Sequence, residues 1–271
     1  MIGTTNRQAA VMTSRGGELQ TRHDAAFAWK TAVAAVLNLP GLRMAHTMGD
    51  IDAGPSIYNV GGQARGYTSN DDPTFGYAGL VPYCALDGTG DYLSRADEAP
   101  LDITGGETYV VAAQRGLSMG IWVYPTVVDA TQDIIGKWNT NGVDERSYLI
   151  RLRNTNVFQG NISSAGTAAT VTSVNSTVTV TADAWYFVEL TYSPSGQSNL
   201  LTINVNGTVD SVAANRASLH SGAANFIVGA SDNGASNLLT GRVSLDWLCA
   251  MYHADYLTQA MYHHTRAMYG R

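Results

Sequence analysis

The chain has 271 residues, a formal net charge of −6 and only 14% charged residues. This balance argues against a general nucleic-acid-binding surface, because neutralising phosphates requires clustered Lys and Arg. No window is apolar enough over sufficient length to span a bilayer, and the first twenty residues lack the pattern of a signal peptide. We therefore expect a protein made in the cytoplasm, with neither a nucleic acid nor a membrane as partner.

Residues 1–22 form the first predicted element, a polar arm. This segment carries Arg7, Arg15 and Arg22 and has too few apolar residues to build a core of its own. Two interpretations stay open: a disordered tail, or an arm that becomes ordered on a neighbouring subunit. In the second interpretation the three arginines are subunit-contact residues.

Residues 24–39 predict a helix, because Asp24 is a suitable N-cap and Pro40 a stop. Its larger apolar side chains follow one stripe, and several other positions are Ala, so few polar groups would face water. We expect the helix to be covered either by the rest of its own chain or by a partner chain. The predicted contact residues are Phe27, Trp29, Val33, Val36 and Leu37.

Residues 1–40 are thus predicted to precede a separate domain at 41–271, which reads as a series of strands. Apolar and polar residues alternate from Tyr186 to Tyr192, which predicts a half-buried strand. Asn206-Gly207 supplies the two positive-φ residues that a type I′ turn requires, and so predicts a hairpin. Abundant Gly, 28 residues, suits many tight turns.

Two segments depart from this pattern. An apolar stretch at 103–115, which includes Tyr109 and Val111, predicts an added strand or an exposed contact loop. From a Thr258 cap to Gly270 the apolar period becomes helical, which predicts a short C-terminal helix with a stripe of Leu257, Met261, His264 and Met268. Apolar residues flank both cysteines, Cys84 and Cys249. Buried free thiols are therefore favoured over a disulfide.

The order of several short motifs resembles that of laminin-G-like domains of the concanavalin A-like jelly-roll family. These motifs are ALDGTGDYL at 85–93, MGIWVYP at 119–125, IIGKW at 134–138, the strand from Trp185 with the later Asn206-Gly207, and FIVG at 226–229. The resemblance covers residues 42–271. It implies an all-β fold in which two antiparallel sheets form a jelly-roll sandwich, with the N-terminal arm and helix before it and the short helix after it.

Catalytic patterns are missing from the sequence. Glycan-cleaving relatives place two carboxylates on either side of the scissile bond, and no strand here carries the alternating acids that this requires. We therefore predict that the protein is not an enzyme. We also predict that it needs no cofactor, apart from a calcium ion. The resemblance implies a calcium ion at the sandwich rim held by Asp87 and Asp91, hard-oxygen ligands, although an Asp in such a turn also has an ordinary backbone role.

Aromatic residues offer a second possible kind of site, a platform for sugar rings. Trp138, Trp185 and Tyr148 are the candidates. The resemblance places Trp122 and Trp185 at core positions of the family, so burial is favoured over sugar contact for these rings.

Two functions remain. The favoured one, by resemblance, is a tailed-bacteriophage virion structural protein, either a capsid decoration or cement protein or a minor tail protein. It would bind other virion proteins and itself through residues 1–40, as a homo-oligomer located in the virion. The alternative is a glycan-binding, lectin-like module that attaches to a surface glycan through residues 42–271 alone.

Overall fold

Two antiparallel β-sheets pack face to face in the computed structural model of the chain, which confirms the predicted fold class. The structure describes residues 34, 36, 39, 41–48, 67–79, 81–104, 115–194 and 197–271. The predicted arm, most of the predicted N-terminal helix and residues 105–114 lie outside these ranges. None of the helices in the described part of the chain combines the length and apolar character needed to cross a membrane.

Most of the described chain lies in strands, and one α-helix follows the last of them. The strands are β1 Leu42–His46, β2 Thr68–Asn70, β3 Thr74–Ala78, β4 Val81–Asp87, β5 Tyr92–Arg95, β6 Leu117–Pro125, β7 Gln132–Asn139, β8 Glu145–Leu152, β9 Val157–Gly166, β10 Val171–Thr179, β11 Tyr186–Tyr192, β12 Leu200–Val205, β13 Thr208–Ala213, β14 Phe226–Val228 and β15 Thr240–Cys249. The helix is α1, Asp255–Thr265.

The strands form two sheets that we call sheet A and sheet B. Sheet A has the order β13-β12-β11-β6-β15-β4-β3, and β1 pairs with the second half of β15. Sheet B has the order β10-β9-β8-β7-β14-β5-β2. Neighbouring strands are often distant in sequence, so each sheet is assembled largely from non-local pairs.

The core between the sheets is built by the predicted alternation of side chains. Val188, Leu190 and Tyr192 of β11 point into this core cluster and are fully buried. The predicted hairpin is also confirmed, because Asn206 (φ 51°) and Gly207 (φ 89°) make the turn between β12 and β13.

The outer face of sheet A is covered, which the sequence did not predict. Its outward side chains form a second buried cluster, the aromatic cluster, with rings that include Trp122, Phe187 and Trp247. Tyr262 of α1 packs 5.7 Å from the Phe187 ring. The prediction that β11 is half-buried was therefore wrong, since a helix buries its second face as well.

The C-terminal helix is confirmed, but its start was wrong. It begins at Asp255, before Thr258, and continues into a 3-10 turn at Arg266–Tyr269. Of the predicted stripe, Met261 is buried and Leu257 and Met268 pack against the aromatic cluster, whereas His264 is exposed. The buried face also includes tyrosines that dock on the tryptophans of sheet A; Tyr269 stacks 4.0 Å from Trp122.

Two further predictions concern buried side chains. Cys84 and Cys249 are buried free thiols, as predicted; Cys84 lies in the core cluster and Cys249 in the aromatic cluster, on opposite faces of sheet A. Val36 and Leu39, from the predicted N-terminal helix, are buried in the aromatic cluster of their own chain.

Candidate functional site

The predicted calcium ligands lie in the turn between β4 and β5. The Asp87 carboxylate accepts hydrogen bonds from the backbone N–H (2.7 Å) and the hydroxyl of Thr89. The Asp91 carboxylate accepts the backbone N–H groups of Asp72 and Asp87, both at 3.1 Å. The bonds from Thr89 hold the pKa of Asp87 below its usual value, and burial raises the pKa of Asp91.

These bonds give both carboxylates a structural role in the turn. Every oxygen of Asp87 and Asp91 accepts a local donor. Across the described ranges, no group of three or more His, Cys, Asp or Glu residues is arranged to hold a metal ion. The calcium site stays a prediction, and the arrangement of these two residues is explained without it.

A buried polar triad in the core is the next candidate for chemistry. Nδ1 of His46 lies 2.9 Å from a carboxylate oxygen of Asp246, and the Tyr67 hydroxyl donates to the same oxygen at 2.6 Å. All three side chains are buried between the sheets, and burial raises the pKa of Tyr67 well above its ordinary value. Because His46 and Asp246 are also paired between β1 and β15, the triad stabilises the joining of these two strands.

The strongest candidate is the outer face of sheet B, where one row of residues crosses the whole sheet. Its members are direct partners on seven successive strands and so share one face. In order from β2 to β10 they are Thr68, Ser94, Ile227, Gly136, Leu149, Asn161 and Ser173. We call these seven residues the sheet B row.

The middle of the sheet B row is apolar, and one of its positions has no side chain. Gly136 has no side chain, and a methyl group there would lie 2.8 Å from Cα and 3.1 Å from Cδ1 of Leu149. Leu149 therefore occupies the space over Gly136. With Ile227 on the other side, the row has an apolar centre between polar ends.

The β9–β10 end of the row carries amides and hydroxyls. Ser173 donates to Oδ1 of Asn161 at 2.7 Å, and Gln159 donates to Oδ1 of Asn175 at 2.8 Å. The first bond fixes the Asn161 amide with its Nδ2 turned away. That nitrogen is buried and has no hydrogen-bond partner within the described part of the protein, on a side chain only 3% exposed.

An ion network beside the row is internally neutral. The Asp133 carboxylate is fully buried and accepts Nε of Arg151 at 2.7 Å and Nη2 of the same residue at 3.0 Å. Asn237 donates to Asp133 at 2.9 Å as well. The arginine charge is therefore matched by a carboxylate in a bidentate pair, a geometry that fixes both groups.

The structure separates the predicted aromatic candidates. Trp122 and Trp185 are buried in the aromatic cluster, as predicted, and Tyr148 is buried with its hydroxyl donating to the Leu101 carbonyl at 2.8 Å. Trp138 belongs to neither cluster of the described residues, and the Arg146 guanidinium lies 6.0 Å from its ring centroid. Trp138 lies on β7 two residues after Gly136 of the row.

Most predicted subunit-contact residues cannot be placed. Val36 is described and buried in the aromatic cluster. The others lie outside the described residues, namely Arg7, Arg15, Arg22, Phe27, Trp29, Val33, Leu37, Tyr109 and Val111. The virion assignment, the predicted oligomer and the division at residue 40 therefore stay predictions.

Solved structures share the fold of this chain at low sequence identity. The ligand binding domain of botulinum neurotoxin serotype D, in complex with N-acetylneuraminic acid, aligns with a TM-score of 0.60 and 10% identity over 86% of this chain and 52% of that one. The receptor binding domain of the botulinum neurotoxin C/D mosaic serotype gives 0.58 and 11%, over 82% and 51%. The binding domain of Paraclostridial Mosquitocidal Protein 1 gives 0.58 and 10%, over 82% and 52%.

These likenesses concern the fold, and the chain spans about half the length of each of those structures. No curated protein matches the chain in sequence. Residues 87–245, more than half of the chain, match the Laminin_G_3 family model, described as the concanavalin A-like lectin/glucanases superfamily. With its two-sheet sandwich and this match, the chain belongs to the concanavalin A-like lectin/glucanases superfamily.

Proposed function

We propose that the protein is a non-enzymatic carbohydrate-binding module and that the sheet B row is its binding surface. The observation that carries the proposal is Nδ2 of Asn161, a buried N–H donor with no partner among the residues described. Burying such a donor without a partner costs about 1–3 kcal/mol. A ligand oxygen placed over the row would recover that free energy.

The composition of the row suits a sugar. Hydroxyl and ring oxygens of a saccharide accept from an amide, and its C–H faces pack against apolar side chains. Asn161 and the exposed Ser173 supply the polar groups at one end of the row, beside the apolar centre of Leu149 and Ile227, which are each 1% exposed and reach a ligand only at their edges. No carboxylate belongs to the row, which favours binding over hydrolysis, since glycoside cleavage requires two.

The charge beside the row favours a neutral glycan. Arg151 is already paired with Asp133, so an acidic sugar would have to compete with a buried carboxylate. Two toxin domains of the same fold set the contrary case: one botulinum domain was solved with N-acetylneuraminic acid and another with SialylT. Both neutral and sialylated glycans therefore belong in the test.

The test is glycan binding by the full chain and by two variants, Asn161→Ala and the matched Asn154→Ala in the exposed β8–β9 turn. Binding is screened on an array of neutral and sialylated glycans and then measured by calorimetry. Losing one amide hydrogen bond weakens binding roughly tenfold, so we expect that loss in Asn161→Ala and none in Asn154→Ala.

Two results would overturn the proposal. One is that the folded full chain binds no glycan of either class. The other is that Asn161→Ala binds as tightly as the unchanged chain, which would move the site away from the sheet B row. Thermal unfolding of each variant separates lost binding from lost fold.

A further inference from the structure

Within the described ranges, a second group of buried polar atoms without hydrogen-bond partners lies between sheet A and the start of α1. The residues are Glu189, Asn204, Trp247 and Thr258, each at most 3% exposed. The atoms that make no hydrogen bond to a described residue are both carboxylate oxygens of Glu189, of which Oε1 is ion-paired with His253, and Nδ2 of Asn204, Nε1 of Trp247 and Oγ1 of Thr258. We call this group the α1 polar site.

Strand register brings three of these residues together on the outer face of sheet A. Glu189 is the direct partner of Asn204 on one side and of Gly120 on the other, and Gly120 is the partner of Trp247. A methyl group at Gly120 would lie 2.5 Å from Cε2 of the Trp247 indole, the carbon bonded to Nε1. The indole therefore lies across Gly120, beside Glu189.

The fourth residue comes from the helix, which runs antiparallel to β11. Tyr269 packs 5.0 Å from Trp185, and Tyr262 packs 5.7 Å from Phe187. One helical turn further back is Thr258, and the next outward residue of β11 is Glu189. By this alignment Thr258 is the α1 residue level with Glu189, and both side chains are buried.

Neighbouring contacts close the site and fix its groups. Oδ1 of Asn204 accepts the Gly207 N–H at 2.8 Å, and Gln259 of α1 donates to the Gly207 carbonyl at 2.6 Å. On the other side, Nδ1 of His253 lies 3.5 Å from Oε1 of Glu189. The amide of Asn204 is held with its Nδ2 directed away from Gly207.

The donors and acceptors of the α1 polar site determine which ligand can satisfy all of them. A carboxylate only accepts, while the indole and amide nitrogens only donate. A metal ion would gain nothing from these N–H groups, whereas water donates to the carboxylate and accepts from the nitrogens. Buried polar groups in native proteins are almost always paired, often through internal water with about three hydrogen bonds.

We infer that the α1 polar site binds internal water, which bridges Glu189 on sheet A to Thr258 on α1 and completes the packing of the helix. The interface then has two halves of different chemistry. Toward Tyr269 it is an aromatic contact with a direct bond from Trp122 to Thr265 (2.9 Å). Toward Thr258 it is joined through water.

The first test is a high-resolution crystal structure of the full chain. We expect at least one ordered water within hydrogen-bond distance of the Glu189 carboxylate and of Trp247 Nε1 or Asn204 Nδ2. Direct bonds among these side chains with no water between them would overturn the inference. So would a metal ion or an organic solute in that place.

The second test measures long-lived internal water in solution by magnetic relaxation dispersion of the full chain and two matched variants. Trp247→Phe removes a donor that has no protein partner, and Trp122→Phe removes one that has Thr265. We expect Trp247→Phe to lose the signal of at least one water and Trp122→Phe to lose none. Equal signals in all three chains would contradict the inference, and the crystal structure decides if a variant fails to fold.

Discussion

The outer faces of the two sheets are used in opposite ways. Sheet A presents large rings, among them Trp122, Phe187 and Trp247, and α1 covers them. Sheet B presents the row from Thr68 to Ser173, whose members are small, polar or aliphatic. Both faces come from strands with the same alternation, so the difference lies in the size and polarity of the outward residues.

Outward aromatic residues on a sheet require a cover. A buried aromatic side chain removes about 150–250 Å² from water, or roughly 4–6 kcal/mol of gross burial free energy at about 25 cal/mol per Å². Several such residues on sheet A hold the helix in place. The sheet B row has no ring among its seven residues; its centre is buried without one, with Leu149 and Ile227 each 1% exposed, while its end residues Thr68 and Ser173 are exposed.

The largest expected effect comes from removing a ring of the aromatic cluster. Trp122→Ala should lower the free energy of unfolding by about 3–5 kcal/mol, because it leaves a cavity under α1. Trp122→Phe keeps the ring stack and loses the bond to Thr265, and should cost about 1 kcal/mol. Urea unfolding of both variants measures the difference. A loss below about 1 kcal/mol for Trp122→Ala would show that the helix does not depend on this ring.

The next effect is a pH dependence at the water-joined half of the interface. Burial disfavours the charged form of His253, but contacts with Cys249 and Glu189 outweigh burial and raise its pKa to about 10. The unfolded value is about 6.5. A raised folded-state pKa stabilises the fold fully below pH ~6.5, and this contribution is lost as the pH rises through the folded-state value.

We therefore expect the free energy of unfolding to fall between neutral pH and about pH 9.5, at up to about 1.4 kcal/mol per pH unit. Urea unfolding at a series of pH values measures the slope. His253→Asn is the matched control and should flatten it. A pH-independent stability of the unchanged chain over this range would mean that His253 is not held in its charged form.

The positions of strands can be predicted from the sequence, but which of their faces are covered cannot. Alternation locates β11, and the Asn206-Gly207 pair locates the next hairpin, because both signals are local. The cover over β11 escapes local reasoning, since Phe187 is followed on the same face by Glu189, whose polar group suggests water. Outward Trp122 and Trp247 are the signal that could have predicted a cover.

The candidate site was missed for a different physical reason. Asn161 reads as an ordinary polar residue of a half-exposed strand, and its significance depends on partners from distant strands. Ile227 and Ser94 join the row only through non-local pairing, which a single sequence does not specify. The Asp87 turn was easier to find, because its bonds to Thr89 are local.

The smallest expected effect tests how Asn161 is oriented. Ser173→Ala removes the hydroxyl that donates to Asn161 Oδ1 but no atom of the proposed donor Nδ2. Because Ser173 is exposed, stability should change by less than about 0.5 kcal/mol. The amide is then free to turn, so binding of any glycan identified for the full chain should weaken about threefold, less than in Asn161→Ala. Calorimetry measures both variants, with Thr177→Val on the same strand as the control. A loss in Ser173→Ala as large as that in Asn161→Ala would mean that the hydroxyl itself contacts the ligand, and the binding surface would then extend to the edge of sheet B.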